Sequence, residues 1–482
     1  MLSATYLSAQ WTQLGLDLDG DSSGSYFGSS VSMNYSGTRL ASGAPQHNGN
    51  GVASGLVRVF DWNGLTWSQL GSGLNGENPF DQSGIAVSMD SLGRRVAIGS
   101  RLNNGNGTNS GHTRVYDWNG SVWLQLGADI DGGAIGDESG GAICLNGAGN
   151  RVAIGAEGND GNGTNSGHVR VFDWNGTTWT QVGADVDGEA TSDNSGFSVS
   201  LNNSGSRLAV GAPLNDGGGN NAGQSRVYEW NGTAWVQMGT DIDGENAGDE
   251  SGHSVSLNTS GNRIVIGANK NAGNGFKSGH VRIFEWNGTT WTQLGSDIDG
   301  EASGDEFGYS VSISGTGNKV TVGAPFNGDG GFRSGHVQMF NWNGSAWAQI
   351  GSDIDGEASN DWSGYAVCSN KAGNKVGIGA WLNDGNGVDA GHVRVYENNY
   401  ITGLEGSSKA LFSIHPIPVS QNIILETQNL IGEVAQITSI TGKLILEFNV
   451  TKNKEKIDVS GFQNGVYFLR VGEMTKKIIV AR

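Results

Sequence analysis

The sequence predicts an all-β chain: a seven-bladed β-propeller of 56-residue repeats, its N-terminal strand closing the last blade, followed by a small C-terminal β-sandwich domain. Three observations predict it. Trp11, Trp67, Trp123, Trp179, Trp235, Trp291 and Trp347 stand 56 residues apart, each opening a Trp-x-Gln-apolar-Gly pattern. Trp62, Trp118, Trp174, Trp230, Trp286 and Trp342 repeat with the same period, each followed by Asn-Gly. After Tyr400 the tryptophans stop and lysine becomes frequent. A fixed period marks a repeat architecture, and seven copies without an insertion point to a closed or regularly stacked array.

The fourth copy shows the anatomy of one blade. Phe197 to Asn202 alternates apolar and small polar residues, as a strand does, and Asn203-Ser204-Gly205 is a turn. Arg207 to Ala212 is a second strand, and the Gly/Asn-rich stretch from Asn215 to Asn221 is a loop. Ser225 to Trp230 is a third strand. Asn231-Gly232 signals a type I′ hairpin, in which both central residues need positive φ, leading to a fourth strand from Thr233 to Gly239. Four antiparallel strands per copy make a propeller blade.

The ends of the array support closure. The last copy reaches Tyr396-Glu397-Asn398-Asn399 without an Asn-Gly hairpin or a Trp-x-Gln strand, and the first begins with that missing strand, Trp11 to Gly15. Closing the ring this way leaves no open sheet edge. The domains expected are therefore 11–400 for the propeller, 401–410 for a linker and 411–482 for the tail domain. Leu7-Ser8-Ala9 before Gln10 is the kind of small-residue site that ends a signal peptide, so 1–10 is expected to be its remnant.

Composition narrows the function. The chain has 82 glycines but only 6 prolines, which excludes collagen, and 15 tryptophans, which a disordered polar chain would not carry. The net charge of −19 argues against nucleic acid as a partner, because phosphate binding needs a basic footprint. Residues 401–482 hold nine Lys or Arg against seven Asp or Glu, so the acidic excess belongs to the propeller. No apolar run is long enough to span a membrane.

Phe307-Gly308-Tyr309-Ser310-Val311-Ser312, then Val322-Gly323-Ala324-Pro325 and Gly335-His336-Val337, resembles the FG-GAP repeat; Phe27-Gly28 with Gly43-Ala44-Pro45 matches as well, and Gly211-Ala212-Pro213 matches its second half. That resemblance implies the seven-bladed propeller found in integrin α-subunits and bacterial surface proteins. Other copies depart from it, with Ser83-Gly84 and Ser251-Gly252 in place of Phe-Gly. The integrin-type calcium loop is missing, and a short turn such as Ser314-Gly315-Thr316-Gly317 stands there. The tail is similar to the type A sorting domain of the type IX secretion system. Phe412 to Val419, Thr441-Gly442-Lys443, Ile457-Asp458-Val459-Ser460, Asn464-Gly465-Val466-Tyr467 and Lys476-Lys477 carry this second resemblance. It implies an address read by that machinery and usually removed after passage of the outer membrane of a Bacteroidota-type bacterium, and hence a secreted or cell-surface protein.

Chain direction puts the loop leading into each blade on one face, with the loop between its second and third strands. The lead-in loops carry acids at positions 1, 3, 5 and 9: Asp185, Asp187, Glu189 and Asp193; Asp241, Asp243, Glu245 and Asp249; Asp297, Asp299, Glu301 and Asp305; Asp353, Asp355, Glu357 and Asp361. Copy one has Asp17, Asp19 and Asp21, but Ser25 at the last position; copy two is degenerate. Oxygen ligands so spaced suit calcium, which takes 6–8 oxygens. The same acids suit turn caps that bond backbone N–H groups.

His112, His168, His280, His336 and His392 share one third-strand position, with Arg two residues later in all but one of these copies. Equivalent positions on radiating blades lie far apart, so blade-to-blade packing is expected of them. Arg170 with Asp173, and the joint loss of charge at Gln338 and Asn341, suggest compensated charge within the scaffold. Cys144 and Cys368 replace an inner-strand serine and belong to nearly opposite blades, so no disulfide is expected. Trp362 and Trp381 fall outside both tryptophan series, on the acidic face, where aromatic residues stack on sugars.

No nucleophile elbow or zinc-protease motif occurs, and acids repeat alike in the copies, so the chain is expected not to be an enzyme. The function expected is a monomeric, exported binding or adhesion protein that engages a glycan or protein on the Asp/Asn-rich face, assisted by calcium. A carbohydrate-processing enzyme and a structural matrix protein are the alternatives.

Overall fold

A single blade cannot bury the apolar faces of its own sheet, so each repeat must lie against its neighbours. The structure, a computed structural model, describes residues 11–398, 411–415, 418–428, 434–439, 443–471 and 474–481. The expected leader and linker, and the motif residues Pro416-Ile417 and Thr441-Gly442, lie outside them. The chain divides into two compact units, Met1–Tyr400 and Ile401–Arg482.

The first unit is seven antiparallel sheets. Blade four consists of an inner strand Ser198–Leu201, a second strand Arg207–Ala212, a third strand Gln224–Trp230 and an outer strand Trp235–Gln237. The hairpin differs from the type I′ expectation. Asn231 to Ala234 form a four-residue loop in which only Gly232 has positive φ, at 99°, while Asn231 Oδ1 accepts the amides of Thr233 and Ala234, each at 2.9 Å. A side-chain cap therefore replaces the second left-handed residue. A short strand Ile242–Asp243 also pairs back onto Gln224–Ser225, so each lead-in loop folds along the third strand before entering the next blade.

The ring closes as predicted. Trp11–Gln13 pairs with His392–Asn398, in register Trp11↔Asn398 and Gln13↔Tyr396, and completes blade seven. The outer-strand tryptophans join successive blades. Trp67 Nε1 donates to Leu14 O at 2.9 Å, Trp291 Nε1 to Met238 O at 2.9 Å, and Trp11 Nε1 to Ile350 O at 2.9 Å, which carries the series across the seam. Apolar clusters fill the blade interfaces. Val265, Val281 and Ile283 meet Ile313, Val320 and Phe340 between blades five and six, and Val393 and Val395 meet Met33, Leu40 and Phe60 at the seam.

Glycine at the blade contacts follows from space. A Cβ on Gly267 would lie 2.0 Å from the Gly308 carbonyl oxygen of the next blade, and Gly308 itself has φ of 88°. The Gly-Ala and Phe-Gly (or Ser-Gly) glycines of neighbouring blades thus touch backbone to backbone. The inner-strand serines also act between blades. Ser200 Oγ accepts Leu257 N at 3.0 Å, and Cys144 Sγ accepts Leu201 N at 3.2 Å in the equivalent place. Both cysteines are free. Burial pushes the Cys368 thiol up to about 12.

The second unit has a three-stranded sheet (Leu411–His415, Asn422–Gln428, Lys454–Asp458) and a four-stranded sheet (Leu444–Asn449, Val434–Ser439, Gly465–Val471, Met474–Val480). Ile423, Leu425, Ile437, Leu469 and Ile478 are fully buried between them. No helix occurs among the described residues.

Candidate functional site

The lead-in loop splits its acids among different partners. At position 9, Asp193 is 3% exposed; its Oδ2 accepts the Ala190 amide at 2.9 Å and Asn215 Nδ2 at 3.0 Å. Asp249, Asp305 and Asp361 repeat this clamp with Asn271, Asn327 and Asn383. At position 5, Glu189, Glu245 and Glu357 pair with Arg226, Arg282 and Arg394 at 3.5, 3.5 and 3.2 Å. At position 1, Asp241 and Asp297 accept from Gln237 and Gln293 at 2.7 and 2.6 Å, and Asp185 and Asp353 accept from Gln181 and Gln349. At position 3, Asp187, Asp243, Asp299 and Asp355 sit in the short strands paired to the third strand.

The four carboxylates of one loop therefore do not turn toward one point. The groups that do converge form around the buried third-strand histidine, some with acids from two successive lead-in loops and some with acids from one. They include Glu77, His112 and Asp129; Glu245, His280 and Asp297; and Glu301, Asp329, His336 and Asp353. His168 joins Asp185 and Asp187, with Nδ1 3.4 and 3.9 Å from their oxygens; His392 joins Asp17 and Asp19. Burial pushes His280 and His392 down to about 4, so these rings are neutral at pH 7. The histidines thus meet the acids of the lead-in loops, which packing between blades alone did not anticipate.

Charge compensation in the scaffold is real, but the partners differ from those expected. Residues three apart on a strand face opposite sides, so Arg170 and Asp173 do not meet. Asp173 takes two bonds of 2.6 Å from Arg151 on the second strand, and Arg151 Nη1 reaches Gly205 O of the next blade at 2.7 Å. Arg170 donates to the Asp131 carbonyl at 2.6 Å.

The repeat symmetry breaks at the mouth of the ring, on the lead-in face. Phe197, His253, Tyr309 and Tyr365 occupy one repeat position, at the start of the inner strand, where the other blades have Ser29, Ile85 and Gly141. These four rings touch in sequence, with centroids 5.0, 4.6 and 5.1 Å apart. Tyr365 stacks on Trp381 at 4.3 Å and an interplanar angle of 13°; Trp362 lies 5.8 Å from Trp381 and 4.5 Å from Phe326. Tyr26 ends the arc, 5.0 Å from Trp381. The structure thus brings Trp362 and Trp381 together, half-buried rather than freely exposed, and Trp381 Nε1 is buried without a partner.

A cavity of about 580 Å³ adjoins the arc, lined by Phe197, His253 and Tyr309 with Glu250, Lys270 and Glu306. Lys270 Nζ is 2.6 Å from Glu250, and Glu306 is held by Asn269 at 3.0 Å and Lys277 at 3.8 Å. Burial pushes the Glu306 carboxyl up and His253 down to about 4. Single-copy reading missed this site. Comparing the copies at one repeat position would have found it.

Two family descriptions match the chain: an FG-GAP repeat over residues 297–340 and a secretion system C-terminal sorting domain over 413–481. The tail is thus a type IX sorting domain, and the protein is exported to the cell surface or beyond. No curated protein sequence matches. Among solved structures, the chain is similar to the β-propeller domain of Cps50 (Swd1) from Myceliophteria thermophila. Identity there is 11%, covering 80% of this chain and 99% of that one, with a TM-score of 0.49. It is similar also to a putative 6-phosphogluconolactonase from Bacteroides uniformis ATCC 8492. Identity is again 11%, covering 68% of this chain and 86% of that one, with a TM-score of 0.48. The expectation of a chain that is not an enzyme is corrected: the second of these structures bears an enzyme's name, and missing motifs alone do not decide against catalysis.

Proposed function

We propose that this exported propeller is a binding protein that holds an extracellular glycan or a protein on its lead-in face, at the aromatic arc and the adjoining cavity. One observation carries the reading: from blade four to blade seven the scaffold replaces Ser, Ile or Gly with a continuous run of half-buried rings beside charged groups. Flat apolar faces take the apolar face of a sugar ring or a partner's side chain, and polar groups at the rim fix its orientation. The acidic field of the propeller favours neutral or cationic ligands over anionic ones.

A glycan array with the full chain, followed by titration of the best ligand, tests the reading. Trp381→Ala and Tyr365→Ala should each weaken binding about tenfold, or about 1.4 kcal/mol. Leu65→Ala, an exposed residue in the Asn-Gly hairpin of blade one, should leave it unchanged. Equal losses in all three variants, or no retained ligand, would leave a structural surface protein as the better account.

Calcium assistance belongs to the same proposal, with the ion drawing its ligands from two successive loops. Binding that is indifferent to a chelator removes it. Turnover of the bound glycan is a second reading, favoured by the cavity itself: two carboxyls, Glu250 and Glu306, line it, and burial raises Glu306, as a group that donates a proton requires. Released sugar that disappears in Glu306→Gln would support it.

A further inference from the structure

The junction at blade six departs from the others twice: it loses a positive charge, and a carboxylate stands where the other copies have glycine. Elsewhere a guanidinium neutralises the position-5 glutamate, as Arg282 does for Glu245 and Arg394 for Glu357. In blade six Gln338 stands in place of that arginine; its Nε2 donates to Glu301 Oε1 and Asp353 Oδ1, each at 3.0 Å, and holds the two carboxylates together. The second change is Asp329, at a position that is glycine in the other six copies: Gly49, Gly105, Gly161, Gly217, Gly273 and Gly385. A side chain there points into the junction, since a Cβ on Gly217 or Gly273 would lie 3.1 or 3.2 Å from the position-3 aspartate.

Between these acids stands His336, only 1% exposed, with Nδ1 and Nε2 both lacking a hydrogen-bond partner and Nδ1 4.0 Å from Asp353 Oδ2. The ligand atoms of Glu301, Asp329, His336 and Asp353 lie within 4.8 Å of one another. No lysine or arginine forms an ion pair with these three acids among the described residues.

We propose that blade six holds one divalent transition-metal ion of the manganese-to-zinc class, ligated by His336 Nδ1 and the carboxylates of Glu301, Asp329 and Asp353. Imidazole suits zinc and its transition-metal neighbours, carboxylates suit manganese, and calcium takes oxygen alone, so a site of one nitrogen and three oxygens selects against calcium. Bonds of about 2.0–2.2 Å to zinc need only small side-chain rotations from the separations present. The carboxylates of Glu301 and Asp329 are exposed, which gives the ion its way in. This site shares no ligand with the aromatic arc and does not depend on what the arc binds.

Calorimetric titration of the full, chelator-stripped chain with zinc and with manganese tests the proposal. One equivalent should bind tightly, with calcium at least a hundredfold weaker. Asp329→Gly and Gln338→Arg each install the residue of the other blades; both should weaken binding at least tenfold while the melting temperature in chelator stays near that of the parent. Cobalt(II) should give a visible spectrum that changes in His336→Gln, a readout independent of the other variants. The proposal is overturned by no binding, by several equivalent ions per chain unaffected by Asp329→Gly, or by calcium binding as tightly as zinc.

Discussion

Acid should loosen the propeller through its buried imidazoles. His280 and His392 are each 1% exposed, and burial holds both at about 4, against a usual histidine value of 6.5. Their folded pKa is depressed, so the unfolded chain binds protons that the folded chain refuses. The stabilisation is fully present above pH 6.5 and is lost as the pH falls toward 4. A tenfold difference in proton affinity between the folded and unfolded chains is worth about 1.4 kcal/mol. At pH 5 the unfolded histidine is almost fully protonated and the folded one mostly neutral, so each residue forfeits about 2 kcal/mol relative to pH 7.5. Two residues give about 4 kcal/mol, a large part of a typical folding free energy. The assay is urea unfolding followed by tryptophan fluorescence between pH 5 and 7.5. It compares the parent with a His280→Gln/His392→Gln double variant, glutamine being the residue that Gln224 already supplies at this position in blade four. The variant should lose about 4 kcal/mol of the pH dependence. Parallel pH profiles for the two proteins would refute the reasoning, and so would a parent more stable at pH 5 than at pH 7.5.

Two further outcomes concern the blade contacts. Trp291→Phe keeps most of the ring but leaves Met238 O without its donor; it should cost about 1 kcal/mol, seen as a fall of about one degree in Tm. Gly267→Ala would force a methyl to within 2.0 Å of a backbone oxygen. That contact is backbone on backbone and cannot be relieved by rotating a side chain, so the loss should exceed 3 kcal/mol in the same melt, whereas Gly64→Ala, where a Cβ meets nothing within 4 Å but φ is 99°, should cost about 1 kcal/mol.

What a sequence shows directly is what lies within one repeat. Strand alternation, the Asn-Gly turn and the 56-residue spacing are local or periodic, so blade number, strand order and ring closure by Trp11 could be read without coordinates. The hairpin type could not, because Asn231 caps the loop with its side chain, an option that the dipeptide alone does not distinguish from positive φ. The aromatic arc lay halfway between. Phe197, His253, Tyr309 and Tyr365 are visible as a column of the repeat, but separated by 56 residues they read as isolated rings until the blades set them side by side.

The all-β class, the seven blades, the seam and the exported character of the tail each rest on a pattern that neighbours along the chain already express. Which charges meet depends on how the blades fold against one another. Asp173 finds Arg151 rather than Arg170 because successive residues on a strand face opposite ways. The acids of one lead-in loop separate because that loop folds back along a strand, handing its first aspartate to one histidine and its glutamate to the next blade. Glu301, His336 and Asp353 come together only because the ring stacks two loops around one strand, and the exchange of Gly for Asp329 and Arg for Gln338 acquires meaning only at that meeting point.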